Sequence, residues 1–192
     1  MIICNNLNTF FKNTSVIFVD CTFKPTKKIQ IDDFLFFVDE KNNVVSINLL
    51  NNKALNISET QKFFALNSKQ KQKLFDITIK NNLKISDKPK FIYGKILSRF
   101  PHPKSEKLFV LSVDIKQSNP IQIITNTLDS LPEKIVVLAL PGSTTYDGTK
   151  ILEGKLLDLD SYGMLTGYNT LGLKGDGLIF GKINDMGKDF KF

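Results

Sequence analysis

Soft metal ligands are scarce in this sequence. Its 192 residues include one histidine and two cysteines, Cys4 and Cys21, with no Cys-x-x-Cys pair. A structural zinc site needs four such ligands, so no metal site is expected. The sequence alone does not decide whether these two cysteines form a disulfide. A cytosolic compartment would instead keep both thiols reduced, as small buried apolar side chains.

Long hydrophobic runs are also missing. The longest uninterrupted apolar runs are residues 34–38 and 135–140, far short of the roughly 20 residues that a membrane helix needs. The first eleven residues carry no basic segment ahead of a long apolar stretch, so no secretion signal is expected. The sequence therefore predicts a cytoplasmic protein that does not interact with a membrane.

Arginine is nearly absent although the chain is basic. Arg99 is the only arginine among 26 basic residues, against 19 acidic ones. Residues 1–90 hold 14 lysines and 8 acidic residues (net +6), whereas residues 91–192 hold 12 basic and 11 acidic residues (net +1). Positive charge attracts polyanions. Lysine offers point charges to phosphate rather than the forked contacts that read base edges, so weak base discrimination is expected.

Residues 1–87 are predicted to form a small α+β N-terminal domain. Apolar segments rich in β-branched and aromatic residues predict strands at 16–19, 34–38 and 44–50, and a short connection joins the last two as a hairpin. Between residues 63 and 83 apolar residues recur at mixed three- and four-residue spacing among lysines, which predicts an amphipathic helix from about 68 to 82. These lysines either contact RNA or form the solvent-exposed face of the helix, where lysines are common without a binding role.

A mainly β C-terminal domain is predicted over residues 91–183, after the boundary at Pro89. Five short segments bounded by turn residues predict strands at 91–99, 108–115, 121–125, 135–140 and 150–161. Five short strands with connections of this length are typical of an OB-fold five-stranded barrel. A late strand at 178–183 is expected to pack back near the end, and residues 184–192 are expected to form a tail.

Two motifs in this half resemble those of a known family. Pro101-His102-Pro103-Lys104-Ser105-Glu106-Lys107-Leu108 lies between the first two strands, and Ser161-Tyr162-Gly163-Met164 ends the fifth. Together with the strand pattern, they resemble the tRNA-binding domain, an OB-fold family that includes the N-terminal region of the phenylalanyl-tRNA synthetase beta subunit. The resemblance is closest to the bacterial YtpR-like tRNA-binding proteins, in which a small N-terminal domain precedes the barrel.

The resemblance implies that tRNA binds through lysine contacts to phosphate with limited base stacking. The candidate RNA-binding residues are Lys95, Arg99, His102, Lys104, Lys107, Asn126, Lys150, Lys155, Ser161 and Met164. His102 has a second interpretation, in which its hydrogen bonds order the loop between the two prolines. Ser161 and Met164 have one as well, in which they build the barrel core.

Two segments depart from the family pattern. Thr125-Asn126-Thr127-Leu128-Asp129 stands where relatives usually carry Cys-Gly-Ala-x-Asn, and Leu157-Asp158 stands where they often carry Arg-Gly. An aspartate beside the binding groove repels phosphate, and a lost cation removes about one unit of counterion release from binding. A weakened affinity for tRNA is therefore expected, with the barrel intact.

The sequence favours a non-catalytic RNA-binding protein. No paired carboxylates, Ser-His-Asp order or metal-spaced acid cluster stands out, and the glycine-rich segment 172–177 lacks the ending of a phosphate loop. No catalytic residue and no cofactor are therefore expected. The alternative is a protein-interaction or chaperone-like OB module with weak or no tRNA affinity, because the near-neutral barrel also suits a protein surface. A homodimer, or a protein partner in translation, is compatible with both hypotheses.

Overall fold

Six antiparallel strands build the N-terminal part of the protein. In the computed structural model, which describes all 192 residues, the chain divides into two compact units, residues 1–88 with 191–192 and residues 89–190. The strands of the first unit lie in the order β3-β4-β5-β2-β1-β6. Their bounds are β1 Ile3–Asn6, β2 Ser15–Phe18, β3 Lys27–Ile31, β4 Phe34–Val38, β5 Val44–Leu49 and β6 Phe63–Ala65.

The predicted hairpin of residues 34–50 is confirmed as β4 paired with β5. The predicted strand at 16–19 is β2, whereas β1, β3 and β6 were not predicted. β3 begins with two exposed lysines and lies at a sheet edge. Only Ile29 and Ile31 pack against the core, so its apolar pattern is too short to predict a strand. Alternate residues of β4 and β5 point into one core, which includes Phe36, Ile47 and Leu49.

One α-helix, α1 (Ser68–Lys80), packs on this core through Leu74, which is fully buried. It begins at a capping box: Asn67 Oδ1 accepts from the Gln70 N–H at 3.0 Å, and Gln70 Oε1 accepts from the Asn67 N–H at 2.9 Å. The helix is confirmed but ends two residues before the predicted bound. No helix of this protein has both the length and the apolar composition needed to cross a bilayer.

The C-terminal unit is built around a five-stranded antiparallel sheet in the order β13-β10-β7-β8-β9, beside a two-stranded hairpin of β11 and β12. Residues that are fully buried on its inner face, including Ile96, Leu111 and Ile123, form its core. The strand bounds are β7 Phe91–His102, β8 Ser105–Asp114, β9 Ile121–Thr125, β10 Ile135–Ala139, β11 Gly154–Leu156, β12 Leu159–Ser161 and β13 Met164–Leu165.

The two edges of this sheet meet. The Tyr162 N–H, just after β12, donates to the carbonyl oxygen of Gln122 on β9 at 2.9 Å. Gln122 Nε2 donates to the Asp160 carbonyl oxygen at 2.7 Å. The chain entering β13 is thereby hydrogen-bonded to the opposite edge strand, which is consistent with a barrel-like OB fold. The predicted fold class, mainly β with α and a five-stranded C-terminal sheet, is confirmed.

Three local predictions in this unit were wrong. The predicted fifth strand at 150–161 is instead the hairpin β11–β12, followed by β13. The predicted late strand at 178–183 forms only isolated bridges, Gly167 with Leu178 and Val136 with Phe180. The backbone hydrogen bonds of this stretch are divided between Thr166, just after β13, and Ile135 and Val137 of β10. No continuous ladder therefore forms with either segment.

The third wrong prediction concerns residues 184–192, which do not form a tail. β8 pairs with β7 only from Lys95 onward, which leaves the first residues of β7 without a partner on that side. Residues 187–190 fill the gap: the Tyr93 N–H donates to the Lys188 carbonyl oxygen at 3.0 Å, and the Phe190 N–H donates to the Phe91 carbonyl oxygen at 2.8 Å. Phe190 is buried, with its ring centroid 5.9 Å from that of Tyr93.

The two cysteines are not joined by a disulfide, and both are buried. Burial raises the pKa of the Cys4 thiol to about 12, and a hydrogen bond with Ser15 offsets part of this increase. The thiolate is the reactive form of cysteine, so Cys4 is an inert core residue at neutral pH.

Candidate nucleic-acid interface

A shallow groove lies on the outer face of β7, β8 and β9. The strand register places Phe100, Val110 and Ile124 side by side across the three strands, and Ser98, Ser112 and Gln122 in the next row. The intervening row, with Leu111 and Ile123, points into the core. The groove has a volume of about 290 Å³. Its lining includes Ser98, Phe100, Val110, Ser112, Pro120 and Gln122.

Phe100 is the prominent side chain of this face. It is 63% exposed, and the groove beside it is lined by polar side chains such as Ser112 and Gln122 and by apolar ones such as Val110 and Ile121. An exposed aromatic ring on a sheet face is a platform on which a base can stack. Sequence reasoning missed Phe100. The available signal was its position on the alternating first strand, immediately before the Pro101-His102-Pro103 motif.

His102 is buried, at 4% exposure, and both of its ring nitrogens are used inside the protein. Nδ1 accepts from the Lys104 N–H at 3.1 Å, so the ring proton lies on Nε2, which faces the Leu156 carbonyl oxygen at 3.2 Å. The histidine thus joins the tip of the β7–β8 hairpin to the β11–β12 hairpin. In this geometry it has no nitrogen free for RNA.

Arg99 points toward the inner side of the sheet, in the row of Leu111. Its guanidinium carbon lies 3.5 Å from the centroid of the Phe109 ring, and Nη1 donates to the Leu128 carbonyl oxygen at 3.1 Å. Nε is buried and has no hydrogen-bond partner. The side chain therefore covers the core beside the β9–β10 connection, on the opposite side of the sheet from the groove.

The five candidate lysines differ in how far their charge is neutralised. Lys107 and Lys150 are exposed and form no ion pair. Lys104 is paired with Asp158, Lys155 lies 4.0 Å from Asp160, and the half-buried Lys95 is paired with Glu133 at 2.7 Å. Exposed ion pairs are weak, so phosphate can compete for a paired lysine. The neighbouring carboxylate still repels that phosphate.

Three other candidates lie around the closing edge of the sheet. Ser161 Oγ accepts from the Ile124 N–H at 3.1 Å and so holds the end of β12 against β9. Met164 is half-buried and pairs with Ala139 of β10. Asn126 is exposed just after β9. The structure therefore brings His102, Lys104 and the β11–β12 turn together, whereas no contact joins Lys95, Asn126 or Lys150 to that cluster.

The chemistry of these side chains is that of binding. No group of three or more His, Cys, Asp or Glu side chains is placed to hold a metal ion. The groove offers an aromatic ring together with hydroxyl and amide groups, and exposed lysines lie elsewhere on the same unit. A closed antiparallel sheet that presents such a face is a β-sheet binding module.

Comparison with known proteins gives this module a family. Residues 91–184, just under half of the chain, match the family model described as "Putative tRNA binding domain". The C-terminal part of the chain thus matches the tRNA-binding-domain family, as the two sequence motifs predicted.

Curated relatives are named as the beta subunit of phenylalanine–tRNA ligase. The protein of Clostridium acetobutylicum is 39% identical over 105 residues, which cover 52% of this chain and 13% of that protein. That of Latilactobacillus sakei is 36% identical over 83 residues, 43% of this chain and 10% of that protein. The matched part of the chain spans only about a tenth of the length of these relatives.

Among solved structures, the C-terminal domain of Plasmodium vivax p43 is similar at 18% identity. The TM-score is 0.32, and the match covers 40% of this chain and 44% of that chain. A similarity at this level carries no argument about fold or function.

Proposed function

We propose that this protein is a non-catalytic RNA-binding protein that holds tRNA on the outer face of β7, β8 and β9. The observation that carries the proposal is the exposed Phe100, in the groove of a unit whose family is named for tRNA binding. A base stacks on the phenyl ring, and exposed lysines of the same unit contact phosphates. Bidentate readout of base edges is absent, because the Arg99 guanidinium stacks on the Phe109 ring and donates to the Leu128 carbonyl oxygen.

The candidate residues divide into contacts and supports in this proposal. Lys107 and Lys150 contact phosphate directly, because no carboxylate holds them. Lys104 and Lys155 do so after exchanging their partners Asp158 and Asp160. The supports keep the hairpins and the sheet closure in place. They are Lys95, Arg99, His102, Ser161 and Met164, and Asn126 adds an exposed amide beside β9.

Lys107→Glu tests the interface directly. Reversal of this exposed charge removes one phosphate contact and adds a repulsive one, so the affinity for tRNA is expected to fall about fivefold. The slope of log K against log salt is expected to become shallower by about one unit. Titration of total tRNA at several salt concentrations measures both quantities.

Lys174→Glu is the matched control for that experiment, because it makes the same change of charge at an exposed position in the loop 172–177. Its affinity and salt slope are expected to stay near those of the wild type. Equal losses in both variants would mean that only net charge matters, and unchanged binding by Lys107→Glu would reject this interface.

Asp158→Asn is expected to increase the affinity for tRNA about threefold, because it removes the carboxylate that neutralises Lys104. Asp158 has φ 71° in the β11–β12 turn, and asparagine tolerates this left-handed conformation, so the hairpin is preserved. Asp176→Asn, in the loop 172–177, gives the same change of charge as a control. A loss of affinity, or an equal gain in the control, would contradict this role of Asp158.

The proposal extends to the kind of protein and its location. The proposed organisation is an N-terminal domain over 1–87 and a tRNA-binding domain over 91–183, as in bacterial YtpR-like proteins. Its support is the division of the chain into two compact units near residue 88. The proposed location is the cytoplasm, and the proposed partner is tRNA. The support is that the curated relatives are bacterial proteins named as tRNA ligase subunits.

A protein-interaction module is the second candidate function. Leu156 and Leu157 are exposed in the β11–β12 hairpin, and Leu157 adopts φ 46°. A leucine in the left-handed region costs free energy that asparagine or glycine would avoid, which points to a functional role for the exposed side chain. A homodimer or a translation partner would cover these leucines. Absence of tRNA binding near physiological salt, together with a dimer by light scattering, would favour this function.

A further inference from the structure

Two adjacent phenylalanines are exposed on the N-terminal unit. Phe10 and Phe11 lie in the loop 7–14 between β1 and β2, and they are 80% and 64% exposed. Phenylalanines elsewhere in this unit, such as Phe34, Phe36 and Phe64, are buried in its core. Neighbouring exposed phenyl rings are unfavourable in water unless a ligand covers them.

The loop that presents these rings is held in one conformation by asparagines. Asn13, at φ 61°, donates its N–H to Asn8 Oδ1 at 2.6 Å and its side-chain amide to Asn51 Oδ1 at 2.8 Å. The Asn52 N–H donates to the Asn13 carbonyl oxygen at 2.9 Å, and the N–H groups of Phe10 and Phe11 both donate to the Leu7 carbonyl oxygen at 2.8 Å. The loop that displays the rings is therefore preorganised, so little conformational entropy is lost when a ligand binds.

Lysines lie on the loop and on the segments that are hydrogen-bonded to it. Lys12 follows Phe11, Lys53 follows the asparagines that hold Asn13, and the Lys62 carbonyl oxygen accepts from the Asn6 N–H at the base of the loop. All three lysines are exposed and form no ion pair. The acidic residues on the same contacting segments are Asp33, whose carbonyl accepts from Leu50, and Glu59. The balance favours an anionic ligand, in keeping with net +6 over residues 1–90.

We propose that this loop is a second nucleic-acid site, in which Phe10 and Phe11 stack with unpaired bases and Lys12, Lys53 and Lys62 contact the flanking phosphates. Aromatic rings interleaved with cations are the general means of binding single strands without sequence preference. An apolar partner would cover the ammonium groups of these lysines without a counter-charge, whereas the phosphates of a nucleic-acid backbone pair with them. The inference does not rest on the proposed tRNA site, because its residues belong to the other unit.

The protein contains no tryptophan, which allows a site-specific test in the full-length chain. Phe11→Trp places the only indole in the loop, and Ile79→Trp places one on α1 at a position that is 72% exposed. An oligouridylate of about 12 nucleotides, within the usual size of single-strand sites, is expected to quench the indole emission of the Phe11→Trp variant saturably. The helix reporter is expected to change little.

Phe10→Ala in the Phe11→Trp background is expected to weaken oligouridylate binding about fivefold, because one stacking surface is lost. Phe100→Ala in the same background is expected to leave that binding unchanged, so failure of the tRNA proposal and failure of this one can be told apart. Inorganic polyphosphate, which has charge but no bases, is expected not to quench the indole.

Three outcomes would overturn the proposal. The first is equal quenching of the loop and helix reporters, which would indicate nonspecific contact. The second is quenching by polyphosphate equal to that by the oligonucleotide, which would show an anion site without stacking. The third is no response of the loop reporter to the oligonucleotide. If anionic lipid vesicles then shift its emission to shorter wavelength, a lipid surface is the ligand instead. Circular dichroism of both tryptophan variants confirms that each is folded.

Discussion

Gly163→Ala is expected to lower the stability of the C-terminal unit by about 3 kcal/mol. Gly163 has φ 136°, a conformation that side chains rarely adopt. A Cβ atom here would lie 2.6 Å from the carbonyl oxygen of Ala139 on β10, and a backbone atom inside a sheet cannot move aside cheaply. The glycine of the Ser161-Tyr162-Gly163-Met164 motif is thus needed for the chain to pass from β12 into β13.

The measurement is thermal unfolding followed by tyrosine fluorescence. All four tyrosines lie in residues 89–190 and the chain has no tryptophan, so the signal reports on the C-terminal unit alone. A loss of about 3 kcal/mol lowers the midpoint by roughly 10 °C or more for a unit of this size. Gly154→Ala is the control, because a Cβ atom there meets nothing within 4 Å. Equal midpoints for the two variants would contradict this account.

Phe100→Ala is expected to weaken tRNA binding about tenfold, because it removes the stacking platform of the outer face. The salt dependence should stay unchanged, since no charge is lost. The side chain is mostly exposed, so stability should change by less than about 0.5 kcal/mol. Titration with tRNA at fixed salt measures the first effect, and tyrosine-detected unfolding measures the last.

Phe180→Ala is the matched control for that variant. Phe180 is also an exposed phenylalanine of the C-terminal unit, but its ring lies 5.8 Å from Lys134 Nζ, on residues outside the groove. Its loss should leave tRNA affinity unchanged. If both variants bind tRNA as the wild type does, the outer face of β7–β9 is not the binding surface. If Phe100→Ala also unfolds at a lower temperature, its effect on binding is structural.

The local sequence pattern was sufficient to predict those helices and strands that are stabilised mainly by their own residues. The β4–β5 hairpin alternates buried and half-buried residues on both sides of a short polar turn, and α1 has a capping residue and a fully buried Leu74. The pattern failed for residues 184–190, because their backbone is paired only when an unpartnered part of β7 lies beside them. It also failed at 150–161, where the reversal at Leu157 and Asp158 uses two left-handed residues that carry no glycine signal.

The candidate site was likewise predicted only in part from the sequence. Residue type and motif identified the lysines, His102 and the Ser161–Met164 segment, but exposure and pairing depend on neighbours that are distant in sequence. Lys104 meets Asp158, and His102 meets Leu156, each across 54 positions. Such contacts are fixed by the order in which strands assemble, so a single residue's chemistry does not reveal them.

Apolar periodicity, short motifs and composition were enough to establish the class of fold, the family of the C-terminal half and the uneven charge of the two halves. They did not reveal which cations are neutralised, which polar groups are used internally or which aromatic rings face the solvent. Those properties emerged from the folded chain, because burial and charge pairing belong to surfaces, and a surface exists only after distant segments have packed together.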